Sequence, residues 1–317
     1  MSTTTSIIIP TYNRQSDLPR CLQAVVDNTI QPDEVIIVEQ GDATATEQVA
    51  AQFNLPTRVE YFTEKSAARA RNKGVEVSSG DILLFVDDDV VLDVDYIKIA
   101  KEYFARNNNV KVVVGKDLVL TGIKRGFFAK LRTLVSWFFW RVSYSQTNRV
   151  LWSGHNSFGN FGDKEMQTEW AMAAALCVHG TVFQEYRFNP NFIRWSFGED
   201  VMFTYQIHQK YPGSVRYVPT LRFWHNQSTG NRLANTSLIK MKIIYRYIFW
   251  KQCVHQGKPW RTFAYVWSQV GFVILQLIET PSWTAVKTLG QGYWYLLKER
   301  KHIIKVKADY NSFILSK

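Results

Sequence analysis

The sequence predicts an α/β fold in which a mixed, mostly parallel sheet is flanked by helices and followed by C-terminal amphipathic helices. Short β-branched segments alternate with segments of helical periodicity over the first 90 residues, which predicts βαβ units. One of the apolar segments, residues 82–86, contains no polar side chain. Such a strand is typical of the interior of a parallel sheet, because helices cover both of its faces.

Five strands and four helices are predicted in the first 115 residues. Pro10 is expected to end the first strand, and Ser16 or Asp17 is expected to cap the helix that follows. The strands are predicted at 6–9, 34–38, 58–62, 82–86 and 110–115, and the helices at 17–28, 44–53, 66–77 and 93–104.

Three consecutive carboxylates, Asp87, Asp88 and Asp89, follow the central strand directly. Open α/β sheets bind ligands at the carboxyl ends of their strands. Three adjacent like charges repel each other unless a cation neutralises them, and carboxylate oxygens suit Mg2+ or Mn2+. The pattern therefore predicts a metal and diphosphate site at the tip of this strand. The alternative is a solvated acidic turn before a helix N-terminus, where Asp is favoured without any ligand.

Charge and cysteine content narrow the class of protein. The net charge is +11, and most of the excess lies in two aromatic-rich segments: residues 240–317 carry 13 Lys and Arg against three acids, and residues 118–162 carry six against none. Such segments bind nucleic acid or an anionic membrane. No nucleic-acid-binding motif is present, which favours the membrane. The three cysteines show no metal or disulfide spacing, and the N-terminus resembles no signal peptide, which indicates a reducing compartment.

The motifs that follow the strands are not the common phosphate loops. The sequence has no G-x-G-x-x-G after the first strand and no G-x-x-x-x-G-K-[ST], which argues against a dinucleotide-binding dehydrogenase and a P-loop NTPase. Instead, five segments occur in the order 7–13 (IIIPTYN), 35–41 (VIIVEQG), 70–74 (ARNKG), 86–89 (VDDD) and 198–200 (GED). Together they resemble the family-2 inverting glycosyltransferases with the Rossmann-like GT-A fold, over about residues 5 to 228.

The resemblance implies roles for residues in the first half of the chain. The residues implied to bind the nucleotide sugar are Pro10, Thr11, Tyr12, Asn13, Glu39, Arg71, Asp87 and Asp88, with Asp87 on the ribose side and also near the metal. Asp89 is implied to bind the metal. The family more often has Asp where this chain has Glu39. Each of these residues also has a purely structural alternative: a proline-initiated turn for 10–13, a helix-capping acid for Glu39 and an exposed helix charge for Arg71.

In the second half the resemblance implies that Asp200 is the catalytic base and that Glu199 binds the acceptor or orients the loop. Both acids also suit a helix N-terminus, which is the alternative. Trp170, in a run of small residues, is implied to stack on the donor sugar, although a buried Ala-rich strand also fits the run. His225 is implied to reach the metal, but a single His is more often structural.

Three regions are predicted: residues 1–117 bind the nucleotide sugar, 118–237 bind the acceptor, and 238–317 form a basic, aromatic, membrane-associating region. A basic amphipathic helix is predicted within 122–144, and a mobile Gly-rich loop at 153–162. The apolar stretch 263–278 is short for a transmembrane helix, so an in-plane, re-entrant or packed core helix is expected.

The sequence thus predicts a glycosyltransferase that depends on Mn2+ or Mg2+ and moves one sugar from a nucleotide-diphosphate donor, UDP-linked by preference, to a hydroxyl group. The expected acceptor is a lipid-linked saccharide in polysaccharide or glycan assembly, on the cytoplasmic face of the cell membrane. No Q-x-x-R-W motif of processive synthases is present. A nucleotidyltransferase and a non-catalytic membrane-bound scaffold remain as alternatives, and neither donor sugar nor oligomeric state is predicted.

Overall fold

The fold was taken from a computed structural model of the chain. It describes residues 3–119, 127–140, 147–159, 162–226, 234–307 and 309–316, with side chains in the helix after residue 126 described from Leu134 onward. The basic amphipathic helix predicted within 122–144 therefore lies partly outside the described residues and side chains.

The strands of the described chain are β1 (Thr5–Thr11), β2 (Glu34–Glu39), β3 (Thr57–Tyr61), β4 (Ile82–Val86), β5 (Val90–Leu92), β6 (Val112–Asp117), β7 (Arg149–Val150), β8 (Asn156–Ser157), β9 (Met166–Gln167), β10 (Ala175–His179) and β11 (Val215–His225). The helices are α1 (Leu18–Val26), α2 (Ala43–Ala50), α3 (Ala67–Val77), α4 (Tyr96–Arg106), α5 (Phe127–Trp140), α6 (Glu199–Lys210), α7 (Asn235–Phe249), α8 (Pro259–Glu279), α9 (Trp283–Ile304) and α10 (Tyr310–Leu315). A 3-10 turn spans Gly180–Gln184, and a π-helical turn spans Trp250–Val254.

The main sheet has the strand order β3-β2-β1-β4-β10-β6-β11-β5, with β9 also paired to β11. Strands β3, β2, β1 and β4 are parallel, whereas β10 runs antiparallel between β4 and β6. The predicted mixed sheet flanked by helices is confirmed. The first strand, however, continues through Pro10 to Thr11, because its pairing with β4 ends at Ile8 and no neighbour on that side needs the missing N–H.

Strand β4 lies in the centre of this sheet and is buried on both faces, as predicted. Leu84 and Val86 belong to the core on one face, and Leu83 and Phe85 belong to the core on the other. The alternation is imposed by the two-residue period of a strand, so each face needs its own layer of helices. The carboxyl end of β4 is thereby fixed between its neighbours, and the acidic triplet with it.

The chain divides into two compact units. The first comprises residues 1–123 and 161–230 and contains the main sheet; the second comprises 124–160 and 231–317 and is mainly helical. The sequence-based boundaries at 117 and 237 run in chain order, whereas the segment 124–160 belongs with the tail because α5 packs on α8. In the second unit α7 packs on α9, and the buried Lys240 of α7 donates from Nζ to Ser316 beside α10.

Helix α8 is longer than the apolar stretch that predicts it. It begins at Pro259, whose fixed φ suits the first helical position, and ends at Glu279, a length of 21 residues. Within the described residues it is the helix with the length and apolar composition to cross a membrane, and a third of its most apolar stretch is buried inside the protein.

Candidate active site

The three acids after β4 are held in different environments. Asp88 and Asp89 are buried, and Asp87 is partly exposed. The Asp87 N–H donates to the carbonyl of Ala174, and its carbonyl accepts from Val90, which turns the chain back into β5. The turn therefore holds the three carboxylates in a packed environment rather than in a solvated row.

His225 meets this cluster because of strand register. It is the last residue of β11, which pairs antiparallel with β5 so that His225 lies opposite Val90, the residue after Asp89. Its Nε2 lies 3.2 Å from Asp89 Oδ1. Burial lowers the pKa of His225, but the Asp89 hydrogen bond and the nearby carboxylates outweigh it and raise the pKa above its usual value.

Asp88 is tied to the loop after β1. It accepts from Thr11 Oγ1 at 2.7 Å and from Arg14 Nη1 at 2.8 Å, and the same Arg14 nitrogen lies 3.4 Å from Asp89. Burial raises the pKa of Asp88 to about 7, against the opposing charge of Arg14. Thr11 and Asp88 were both predicted site residues, and they stabilise each other. Arg14 was missed, although it directly follows the predicted 10–13 segment.

Glu39 lies fully buried at the end of β2. Its carboxylate accepts from the backbone N–H groups of Asn13 and Gly41 and from Thr46 Oγ1. These three bonds connect the loops after β1 and β2. The structure therefore places Glu39 beneath the predicted nucleotide site, where it shapes the two loops.

An open pocket of about 690 Å³ lies over these loops. Tyr12 and Asn13 line it, together with Tyr61 and Lys65, which the sequence reading missed. Lys65 Nζ donates to Tyr12 Oη and lies over its ring. Two aromatic rings, polar loop backbone and one cation form a pocket suited to a nucleoside. Tyr61 is the last residue of β3, and that carboxyl-end position was the signal available in the sequence.

Arg71 is the link between the two acidic clusters. Its guanidinium is buried, and it donates through Nη2 to Asp87 Oδ1 at 2.8 Å and through Nη1 to Glu199. The alternative that Arg71 is only an exposed charge on a helix is therefore wrong. The acids at the end of β4 and those at the start of α6 are brought together by one side chain.

Asp200 and Glu199 open α6, after Gly198 at a φ of +79°. Burial raises the pKa of Asp200, while the backbone N–H groups of Val201 and Ala173 and the charge of Arg71 oppose the shift. Burial also raises the pKa of Glu199 to about 8, against Arg71. A carboxylate with a raised pKa is a stronger base at neutral pH than an ordinary aspartate.

The loop before α6 is anchored to the start of α3. Ser66 Oγ donates to the Phe192 carbonyl, and the Ala67 N–H donates to the Arg194 carbonyl. Ser196, at a φ of +50°, accepts from the Ala68 N–H through its Oγ. Because α3 also carries Arg71, these bonds fix the loop and its acids relative to the acids after β4.

Two predicted residues lie elsewhere. Pro10 is buried within β1, one residue before the site. Trp170 is only 1% exposed. A buried ring has no open face for a sugar, so the stacking role is not carried into the proposed function. The predicted mobile loop includes β8, which pairs with β7, and the preceding turn, in which Gly154 packs on Trp250; residues 160 and 161 lie outside the described chain.

Asp87, Asp89 and His225 are suited to a divalent cation. One ligand atom from each lies within 4.8 Å of those of the other two. Two carboxylates and an imidazole form a donor set that fits Mn2+ and also accepts Mg2+. Three protein ligands leave positions for water and for phosphate oxygens.

Comparisons with known proteins show the family and the fold of the chain. Residues 6–163 match the family model described as Glycosyl transferase family 2. The chain belongs to glycosyltransferase family 2. The resemblance read from the five sequence segments is thereby confirmed, and the matched residues include every predicted site residue of the first half.

Curated relatives show the same similarity over shorter segments. The glycosyltransferase AglE of Haloferax volcanii is 41% identical over 91 residues, which is 26% of this chain and 30% of that protein. Validoxylamine A glucosyltransferase of Streptomyces hygroscopicus subsp. limoneus is 30% identical over 116 residues, which is 35% of this chain and 26% of that protein. The chain therefore matches less than a third of the length of these relatives.

Among solved structures, a crystal structure of GalNAc-T7 with UDP, GalNAc and Mn2+ superposes with a TM-score of 0.54 and 12% sequence identity. The match covers 85% of this chain and 55% of that one. At this identity the similarity establishes the fold, and the predicted GT-A fold is confirmed.

Proposed function

We propose that this protein is a metal-dependent, inverting glycosyltransferase that moves one sugar from a nucleotide-diphosphate donor to a hydroxyl group. The observation that carries the proposal is the Arg71 bridge, which holds Asp87 beside Glu199 and Asp200. A candidate metal group and a candidate base thus lie in one site. Family membership supports glycosyl transfer as the reaction class.

The donor nucleotide would occupy the pocket of about 690 Å³ over the β1 and β2 loops. Tyr12 and Tyr61 offer ring faces to the base, and Asn13 and Lys65 offer hydrogen bonds. Glu39 keeps both loops in shape through its three hydrogen bonds. UDP is the preferred nucleotide, with GDP and dTDP as alternatives.

Asp87, Asp89 and His225 would hold the cation next to the donor's diphosphate. When bound, a divalent cation supplies charge neutralisation for the departing diphosphate. Arg14 and Arg71 add two positive charges among the carboxylates and so offset part of the negative charge of the site.

Asp200 would take the proton of the acceptor hydroxyl as that oxygen attacks the anomeric carbon. The new carbon–oxygen bond forms on the face opposite the bond to the diphosphate. That older bond breaks, and the diphosphate leaves with its electron pair. The configuration at the anomeric carbon is therefore inverted. Glu199 keeps one oxygen on Arg71, and its Oε2 is buried without a hydrogen-bond partner among the described residues, so in this proposal Glu199 orients the loop through Arg71.

The acceptor in this proposal is a lipid-linked saccharide used in polysaccharide or glycan assembly on the cytoplasmic face of the cell membrane. Support comes from the second unit, which is basic and carries many exposed aromatic side chains. A comparison of lipid-linked and water-soluble acceptors of the same saccharide tests this part. Equal rates with both would contradict it.

The test of the activity is a panel of nucleotide sugars incubated with the protein and Mn2+. We expect one donor to be hydrolysed slowly in water and transferred to an added acceptor, with inverted anomeric configuration. Asp200→Asn should lower transfer by about 10²- to 10⁴-fold, the usual contribution of a general base, while binding of the nucleotide persists. Full transfer by Asp200→Asn would contradict the role of Asp200 as the base, and no transfer from any donor by the wild type would favour the nucleotidyltransferase or scaffold alternatives.

A further inference from the structure

Helix α8 presents its apolar side to solvent. Every exposed side chain between Phe263 and Ile278 is apolar, and Phe263 is 73% exposed. The opposite, buried side is also mostly apolar, with Tyr265, Phe272 and Leu275, and it includes the polar Ser268 and Gln276. In a water-soluble helix the apolar stripe faces the core and the polar residues face solvent. Helix α8 is apolar on its outer side as well as on its packed side, which indicates that the outer face meets an apolar environment.

Helix α5 extends this face. Phe138 and Phe139 of α5 contact Trp267 of α8, with ring centroids 5.6 and 5.0 Å apart, and Trp267 stacks on Phe263. Trp137 and Leu134 of α5 are also well exposed. Two segments separated by about 120 residues in the sequence therefore form one exposed aromatic surface. We call it the α5–α8 face.

Helix α9 adds an exposed face of a different composition. Trp283 and Trp294 alternate there with Lys287, Lys298 and Lys301, and Lys298 lies over the Trp294 ring. Trp and Lys together are typical of side chains at the boundary between lipid headgroups and hydrocarbon.

The charge of the second unit selects the kind of partner. This unit contains 20 Lys and Arg against three acids, a net charge of +17, whereas the first unit contains 18 against 24. A second copy on the α5–α8 face would bring two strongly positive units together. An anionic lipid surface, in contrast, attracts them by about 1 kcal/mol for each basic residue close to it.

We propose that the second unit docks in the plane of an anionic lipid bilayer, with the α5–α8 face in the outer hydrocarbon and the lysines of α9 on the headgroups. The docking rests on the proposed function only for its purpose, which is access to a lipid-linked acceptor. A shallow, in-plane position is the usual one for amphipathic helices with basic surroundings.

The in-plane position follows from what packs on α8. Helices α5 and α9 both contact it. If α8 crossed the bilayer, α9 would enter the hydrocarbon beside it with Lys287, Lys298 and Arg300. Charged side chains at that depth are strongly unfavourable.

Flotation of the full chain with vesicles tests this inference. We expect the protein to float with vesicles of phosphatidylcholine and phosphatidylglycerol, and to float far less with phosphatidylcholine alone or at high salt. Val266→Asp, at a position 57% exposed on α8, should weaken the binding about tenfold or more, which corresponds to losing the burial of one Val side chain.

The matched control is Val94→Asp, at a position 50% exposed in the first unit, which should float like the wild type. Asp200→Asn should also float like the wild type, so loss of catalysis and loss of docking are separated. Nucleotide binding and thermal unfolding of Val266→Asp should match those of the wild type, which shows that both units of this variant are folded.

Three outcomes would overturn the inference. The wild type could ignore anionic vesicles, Val266→Asp could float as well as the wild type, or neutral and anionic vesicles could bind equally. A wild type that forms dimers, with a monomeric Val266→Asp and no vesicle binding by either, would assign the α5–α8 face to a second copy instead.

Discussion

Arg71 holds the two acidic clusters of the site together, so removing its charge should lower the stability of the fold. Arg71→Met leaves buried Glu199 without its cation, which should destabilise the fold by about 3 kcal/mol. The loss relative to the wild type should grow above about pH 8, where the wild-type Glu199 releases its proton but the unpaired carboxyl of the variant must keep it. Urea unfolding at several pH values measures it.

The double variant Arg71→Met, Glu199→Gln is the control for this prediction. It has no buried carboxyl at position 199, so its stability should exceed that of Arg71→Met and should lose most of the added pH dependence. In the wild type, the pKa of Glu199 of about 8 lies above its ordinary 4.5, so the contribution of Glu199 to stability declines as the pH rises through that window. Equal pH dependence of both variants would contradict this account.

The ionisation of Asp200 should determine how the reaction rate falls at low pH. The base acts only when ionised, and burial raises the pKa of Asp200 above its ordinary 3.8. The kcat/KM should therefore fall as the pH is lowered, with its midpoint above 3.8. Nucleotide binding measured over the same range is the control. A rate that follows nucleotide binding alone would remove the evidence for Asp200 as the titrating group.

At the scale of elements, two glycines predict opposite effects of one substitution. A Cβ on Gly115 of β6 would lie 2.1 Å from the Leu221 carbonyl oxygen of β11, so Gly115→Ala forces the two strands apart and should cost about 1–3 kcal/mol. Gly290 in α9 has no atom within 4 Å of such a Cβ among the described residues. Gly290→Ala should therefore stabilise by about 0.5–1 kcal/mol. Thermal unfolding of both variants checks the signs, and the same sign for both would contradict the packing argument.

Helices and strands could be predicted from the sequence where the spacing of apolar residues determines them. The strand before Asp87 and the helix capped by Ser66 depend on local patterns, and both lie close to the predicted ranges. Arg14 was missed because its contact with Asp88 joins residues 74 positions apart, which no local pattern encodes. The orientation of α8 was also beyond the sequence, since periodicity defines two faces but does not say which one the fold covers.

At the scale of the whole molecule, the two units differ in charge and in the kinds of side chain that they carry. The first unit carries the acids, the candidate metal ligands and the nucleotide pocket, and it is net acidic. The second carries nearly all of the excess positive charge and the exposed aromatic helices. The excess positive charge that suits a lipid surface and the acidic site that suits a cation therefore belong to different units.

The measurement that tests the central claim most directly is calorimetric titration of UDP, GDP and dTDP into the protein with Mn2+ and with a chelator. The account predicts that one nucleotide binds, that the chelator or Asp89→Asn weakens the binding about tenfold or more, and that Asp200→Asn leaves it unchanged. Binding that is indifferent to both Mn2+ and Asp89→Asn, or no binding of any of the three nucleotides, would contradict it.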